Sequence, residues 1–296
     1  MKILVAGELN PDLILSGCDA PPEPGKEIFA KRYDLTLGSS SAICAVGLAR
    51  LGNDVVFIGN VGADQNGDFC LDALSAEAVD ISQVRRLPDV KTGITVSISS
   101  RKDRSLVTFA GAISSLTAAD IPAGVFAGRR HLHVSGYYLQ EALQPGLRDL
   151  FRRARNAGLT TSLDCGYDPL ENWDHGLLAA LEETDVFFPS EAEIRGITGQ
   201  SDPERGLQYL ENGHTLVIGK LGAEGCIARD RGKTVWLPAF PVNVVDTTGA
   251  GDSFVAGFLH GWLRGQDLHA CLRFASACGA LSTRGVGGTW SQPCLA

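Results

Sequence analysis

Between an apolar strand-like run and an apolar helix-like run lies Asp246-Thr247-Thr248-Gly249-Ala250-Gly251-Asp252-Ser253-Phe254, and no other stretch constrains the chain as strongly. Gly249 and Gly251 let the backbone turn closely around a ligand. Ala250 between them adds almost no bulk, so the N–H groups of Gly249, Ala250 and Gly251 can converge on an anion. From Ser253 onward, Phe254, Val255, Phe258, Leu259, Trp262 and Leu263 have helical spacing, which puts the glycine turn at the positive end of a helix. Asp252 is out of place in such a turn. A first-turn acid ordinarily gains about 0.3–1 kcal/mol from the helix dipole. Here its charge repels a bound phosphate unless it takes a proton from an attacking hydroxyl.

A chain of 296 residues fits one large α/β core with a small appendage. Its 44% hydrophobic content and 35 glycines suit tight turns and a packed interior rather than disorder. The net charge of −8 argues against nucleic-acid and anionic-membrane partners, so any phosphate must be held locally. Met1 to Gly7 is too short for a signal-peptide core or membrane span and reads as a buried first strand. The eight cysteines form no Cys-x-x-Cys pair, which leads us to expect reduced thiols in a cytoplasmic protein. His131 and His133 flank a strand-like run without zinc-site spacing.

The Gly249–Asp252 segment resembles the C-terminal signature of the PfkB sugar kinases, the ribokinase-like family, in which the aspartate of Gly-Ala-Gly-Asp is the catalytic base. The resemblance implies an α/β, ribokinase-like fold: a mostly parallel central sheet flanked by helices, with a small β-sheet lid. It implies one kinase domain over residues 1–296, with the lid formed by segments about 12–37 and 91–110. The residues agree. Ile94, Val96 and Ile98 alternate with Thr95, Ser97 and Ser99, and a turn over Arg101 to Arg104 leads to a returning strand from Ser105 to Phe109. Leu132 to Val134, Thr160 to Leu163, Val186 to Phe188 and Leu216 to Ile218 read as short buried strands alternating with helices.

Asn10-Pro11-Asp12 follows the first strand; it is either turn chemistry or a pair of groups for vicinal hydroxyls. The resemblance places Asp12 on the sugar, with Asn10, Gly38 and Ser39 beside it. Where the family shows Gly-Gly-x-x-x-Asn, this chain has Gly38, Ser39 and Ile43. Tyr137, Tyr138 and Gln140 follow a strand end and either line the sugar pocket or pack. At the family's Asp-x-Asn-x-Arg, the chain offers Asp164, Gly166 and Asp168.

Ser190 and Glu193 occupy the family's Asn-x-x-Glu positions, where Glu193 either orients Mg2+ through its water shell or lies in a solvated, acidic helix start. Gly219 to Gly225 resembles the nucleotide-binding turn, which implies ATP contacts from Lys220, Gly222, Gly225 and Thr247. It is neither a Walker A motif nor a dinucleotide fingerprint. The loop from Ser282 to Gly288 is expected to border adenine, and in the family K+ often binds between it and the Asp246 region.

These features lead to the expectation of an ATP- and Mg2+-dependent sugar kinase, with Asp252 as base and a homodimer through the lid. A nucleoside kinase is the alternative within the family, and a non-catalytic sugar sensor the alternative outside catalysis.

Overall fold

The computed structural model describes residues 1–100 and 104–295. In chain order the strands begin with β1 (Lys2–Ala6), β2 (Pro11–Cys18), β3 (Arg32–Leu37), β4 (Asp54–Gly62), β5 (Asp80–Leu87), β6 (Ile94–Ser100) and β7 (Arg104–Phe109). They continue with β8 (His131–Val134), β9 (Thr160–Leu163), β10 (Val186–Phe187), β11 (Leu216–Lys220), β12 (Cys226–Asp230) and β13 (Lys233–Leu237). The helices are α1 (Ser40–Arg50), α2 (Gln65–Ala76), α3 (Leu147–Asn156), α4 (Leu177–Leu181), α5 (Glu191–Thr198), α6 (Pro203–Leu210), α7 (Ala250–Trp262) and α8 (Leu268–Ser282).

Nine strands form one sheet in the order β13-β12-β11-β10-β9-β8-β1-β4-β5. From β5 to β11 every pair is parallel. Alternation along β1 explains why both faces are covered: Ile3 and Val5 join a core with α1, α7 and α8, whereas Leu4 and Ala6 join one with α3 and α4. At one edge β12 and β13 are antiparallel, joined through Arg231 and Gly232, both at positive φ (45° and 81°), the conformation a tight hairpin requires.

A separate sheet has the order β3-β2-β6-β7. β6 and β7 pair antiparallel from Ile94↔Phe109 to Ser99↔Arg104. Most of the expected turn between them, Arg101 to Asp103, lies outside the described residues. β2 pairs with β6 in parallel, so this sheet is closed by a long crossover as well as by hairpins. Asn10 and Pro11 do not form a turn: Pro11 and Asp12 already belong to β2, so the chain passes from one sheet into the other within a few residues. No helix is long and apolar enough to cross a membrane among the described residues.

Candidate active site

The C-terminal ends of β1, β8, β9 and β11 point the same way; the turns leaving the first three carry Glu8, Ser135 and Asp164, and Lys220 is the last residue of β11. This is the edge at which open α/β sheets hold ligands. The first turn of α7 lies against it. The helix starts at Ala250, four residues before the apolar spacing that begins at Phe254, with Gly249 left-handed (φ 72°) as its N-cap. Side chains cap α1, α2, α5, α6 and α8, but none caps α7. Its first N–H groups are therefore open to an anion. One is not: Ala250 N–H donates to the Thr247 carbonyl at 3.2 Å.

Asp252 sits in that first turn, half-buried, and its oxygens accept no hydrogen bond among the described residues. Burial, then the charges of Asp164, Glu8 and Glu193, push its carboxyl well above the usual carboxylate range, with Lys220 opposing them. Lys220 Nζ donates to Asp164 Oδ2 in an ion pair whose side chains are 14% and 5% exposed. Burial disfavours the ammonium charge, but Asp164 and Glu193 outweigh it and raise the Lys220 pKa. A Cβ on Gly251 would stand 3.5 Å from Lys220 Nζ, so this ion pair lies beside the anion turn.

Glu193 is buried rather than solvated. It closes a capping box at α5, in which Ser190 N–H donates to Glu193 Oε2 at 2.7 Å and Glu193 N–H donates to Ser190 Oγ at 3.4 Å. Ser190 thus supplies a cap in place of the family's asparagine. Burial raises the Glu193 pKa, and Lys220 opposes it.

Thr247 is exposed, and Gly222 opens an exposed turn at φ 58°. Gly225 has a packing reason for its identity: at φ 104° its Cβ would stand 2.0 Å from the Leu237 carbonyl oxygen. The Asp246 carboxylate ties the anion turn to the C-terminal glycine loop. It accepts the Thr248 N–H (2.9 Å) and hydroxyl (2.8 Å) on one oxygen and the Gly287 N–H (2.9 Å) on the other.

The expected sugar contacts assemble on the β1–α1 side. Asn10 is buried, and its Nδ2 reaches the Pro11 carbonyl (3.1 Å), Asp12 Oδ1 (3.3 Å) and Thr95 Oγ1 (3.4 Å). Thr95 in turn meets Thr108 at 3.0 Å, which links Asn10 to the β6–β7 hairpin. Gly38 N–H donates to the Asn10 carbonyl at 3.0 Å. Ser39 holds φ at 74°, a glycine-favouring conformation, while its hydroxyl donates to the Glu8 carbonyl and accepts the Ala42 N–H at 3.3 Å. Ile43 fills the space against the anion turn, since a Cβ on Gly249 would lie 3.0 Å from Ile43 Cγ2.

Two acids were not singled out as site residues from sequence. Glu8 is buried and accepts the Ser41 hydroxyl at 2.6 Å, and burial raises its pKa against that bond. Asp164 pairs with Lys220. Both follow a strand's C-terminal end, the signal by which they could have been found. Tyr137, Tyr138 and Gln140, by contrast, are core residues. The tyrosines donate to the His175 and Trp173 carbonyls, and Gln140 donates to the Ser135 carbonyl.

The sequence profile of the pfkB family carbohydrate kinases matches residues 3–293. The 2-dehydro-3-deoxygluconokinase of Bacillus subtilis is 34% identical, over 85% of this chain and 82% of its own. The ATP-dependent ribose-1-phosphate kinase of Halopiger xanaduensis is 30% identical, over 99% and 95%. An E. coli protein assigned to ribokinase II, solved with ATP and Mg2+, superposes with a TM-score of 0.86 at 26% identity, covering 98% of this chain and 95% of that one. With the profile spanning nearly every residue from β1 to the last glycine loop, the chain belongs to the pfkB family of carbohydrate kinases.

Proposed function

We propose that this kinase transfers the γ-phosphoryl group of ATP to a hydroxyl of a sugar, with Asp252 taking the hydroxyl proton. The observation that carries the reading is the juxtaposition at α7: an uncapped helix N-terminus holds a carboxylate free of hydrogen bonds, whose pKa lies above the ordinary range. An unpartnered carboxylate with a raised pKa is a better proton acceptor than an ordinary one. Asn10, Asp12, Gly38 and Ser39 would hold the sugar, and the N–H groups of Gly249 and Gly251 would stabilise charge on the transferred group, that of Ala250 being held by the Thr247 carbonyl.

Lys220, Gly222, Gly225 and Thr247 would face the nucleotide, Lys220 as part of its pair with Asp164. Among the described residues no three His, Cys, Asp or Glu side chains form a metal cage. The acids present fit a hydrated Mg2+ instead. One Glu193 oxygen is committed to Ser190 N–H, and the other is left to face the ion's water shell. When bound with ATP, Mg2+ would offset phosphate charge; Glu193 would orient its waters.

Tyr137 and Tyr138 are buried and closed to a base, whereas Tyr33 and Phe109 on the small sheet are exposed, so a nucleoside is the second reading and the substrate panel decides between them. The small sheet would act as the lid, and its exposed Leu35, Leu106, Val107 and Phe109 would pair with a second copy, a state that light scattering reads directly. K+ would sit where the Asp246 turn meets the 283–288 loop, tested by repeating the assay in K+ and Na+.

The deciding experiment is ADP release with ATP and Mg2+ across pentoses, hexoses, keto-deoxy acids and nucleosides, with Asp252→Asn alongside. Turnover on a sugar that falls about 10²–10⁴-fold in the variant is expected. Near-normal turnover in the variant would sink the base assignment. Turnover on nucleosides alone would select the other substrate class, and sugar binding without turnover would identify a sensor.

A further inference from the structure

At the opposite end of the large sheet, a cavity of about 660 Å³ is lined by Arg130, Gly158, Thr160, Trp262, Arg264 and Gly265, with Met1 and Leu263 completing it. Its volume is in the range of small-molecule sites. Its charge sets it apart in a chain of net charge −8: the lining carries two arginines and, among the described residues, no carboxylate.

The two guanidiniums differ usefully. Arg264 is anchored, since its Nη1 donates to Asn53 Oδ1 and to the His260 carbonyl, both at 2.9 Å, and this leaves Nε and Nη2 for the cavity. Arg130 is exposed, and its guanidinium has no ion-pair partner among the described residues. One anchored fork and one exposed, unpaired fork make a clamp for phosphate oxygens. Trp262 supplies a wall and is itself packed, its ring in a T-shaped contact with the buried His131 at a centroid separation of 5.9 Å. Gly158 and Gly265 turn at φ 87° and 75° with no atom within 4 Å of a Cβ built on either, so the cavity mouth is open.

We propose that this cavity is a second ligand site, separate from the ATP and sugar positions, that binds a small phosphate monoester. The arginines hold the phosphate, and the remainder of the molecule lies along Trp262. A sugar phosphate and a nucleoside monophosphate share this chemistry; the indole face favours the second.

The test is calorimetric titration of the full chain with inorganic phosphate, ribose 5-phosphate and adenosine monophosphate, comparing wild type with Arg130→Gln. Arg130 is exposed, so the variant keeps its fold. The phosphate esters should bind wild type and weaken at least about tenfold in Arg130→Gln, the loss of one charged clamp. Indole N–H resonances localise the binding: Trp262 should shift on titration, while Trp173, Trp236 and Trp290 stay in place. Equal affinity in Arg130→Gln, as expected of a monophosphate bound only at the ATP position, would overturn the proposal. So would an unmoved Trp262 signal, or no binding at about 5 mM.

Discussion

The Asp12 carboxylate occupies the space where residue 38 would carry a side chain: a Cβ built on Gly38 stands 2.0 Å from Asp12 Oδ1. Gly38 is not among the glycines at positive φ, so close approach explains the glycine. Gly38→Ala must therefore push Asp12 aside while leaving the anion turn untouched. Misplacing a substrate-orienting group by about 1 Å costs on the order of 10²-fold. We expect kcat/KM for the sugar to drop by about that factor while KM for ATP changes by less than about threefold. Equal losses for both substrates would place Asp12 outside sugar binding.

Asp164→Asn separates the electrostatics of the base from its position. Among the charges around Asp252, Asp164 is the strongest raising its pKa, and it also holds Lys220 in an ion pair. Removing that charge takes away a repulsion and leaves Lys220 without its carboxylate partner, so both effects favour ionised Asp252. The acid limb of kcat/KM should move to lower pH, because the base then stays ionised further down. An unmoved limb, measured from pH 4 to 8, would mean that another group governs it.

In the large sheet β1, β4 and β11 were readable because they are buried and carry continuous apolar runs, whereas β9, Thr-Thr-Ser-Leu, shows itself by its β-branched residues instead. Thr160 to Leu163 is the observed β9, and the apolar part of β8 was found without His131, whose buried ring gives no apolar signal. β5 was missed because Asp80–Leu87 is an edge strand with five exposed residues, so neither alternation nor an apolar run marks it. The turn that opens α7 was legible through its glycines. What sequence could not supply is which polar groups the fold turns inward. Tyr137 and Tyr138 follow a strand end just as Asp164 does, yet they point into the core and Asp164 meets Lys220. Asp168, which falls at the last position of the resembled Asp-x-Asn-x-Arg pattern, is in the structure a staple within its own loop.

His131 and His133 make stability fall on mild acidification. Thr160, His131, Ser162, His133 and Ser135 form a buried chain of hydrogen bonds, each 2.7–2.8 Å long. Burial pushes the His133 pKa down to about 3 and that of His131 well below its ordinary 6.5. The folded pKa values are depressed, so the unfolded chain takes up protons first. The contribution is fully present above about pH 6.5 and drains away as pH falls toward the folded values. Two such rings would cost about 3 kcal/mol between pH 6.5 and 5. Asp252, Glu8 and Glu193, with raised folded values, act in the opposite direction. Ring NMR isolates the histidines: their shifts should stay those of neutral imidazole down to pH 5. Titration near pH 6.5 would show that the chain of hydrogen bonds is open to solvent.

Asp168 holds the loop that follows β9 in a conformation it would not otherwise keep. Glu171, Trp173 and His175 all have positive φ (51°, 60° and 47°), which costs non-glycine residues about 1–3 kcal/mol each. The buried carboxylate accepts the N–H groups of Leu170 (2.9 Å), Asn172 (2.8 Å) and Trp173 (2.7 Å), with His175 Nε2 at 3.5 Å. Burial works against its charge, but the three N–H bonds outweigh it and hold the pKa below the usual carboxylate value. Asp168→Asn keeps the shape but turns an NH2 group toward backbone donors that need an acceptor. The expected loss is about 3 kcal/mol, or roughly 5 °C in Tm for a chain of this length. The loop should also open locally, so brief chymotrypsin treatment should cut the variant at Tyr167, Leu170 or Trp173 while wild type stays whole. An uncut variant with an unchanged Tm would show that Trp173, wedged against Gly196, holds the loop without the carboxylate.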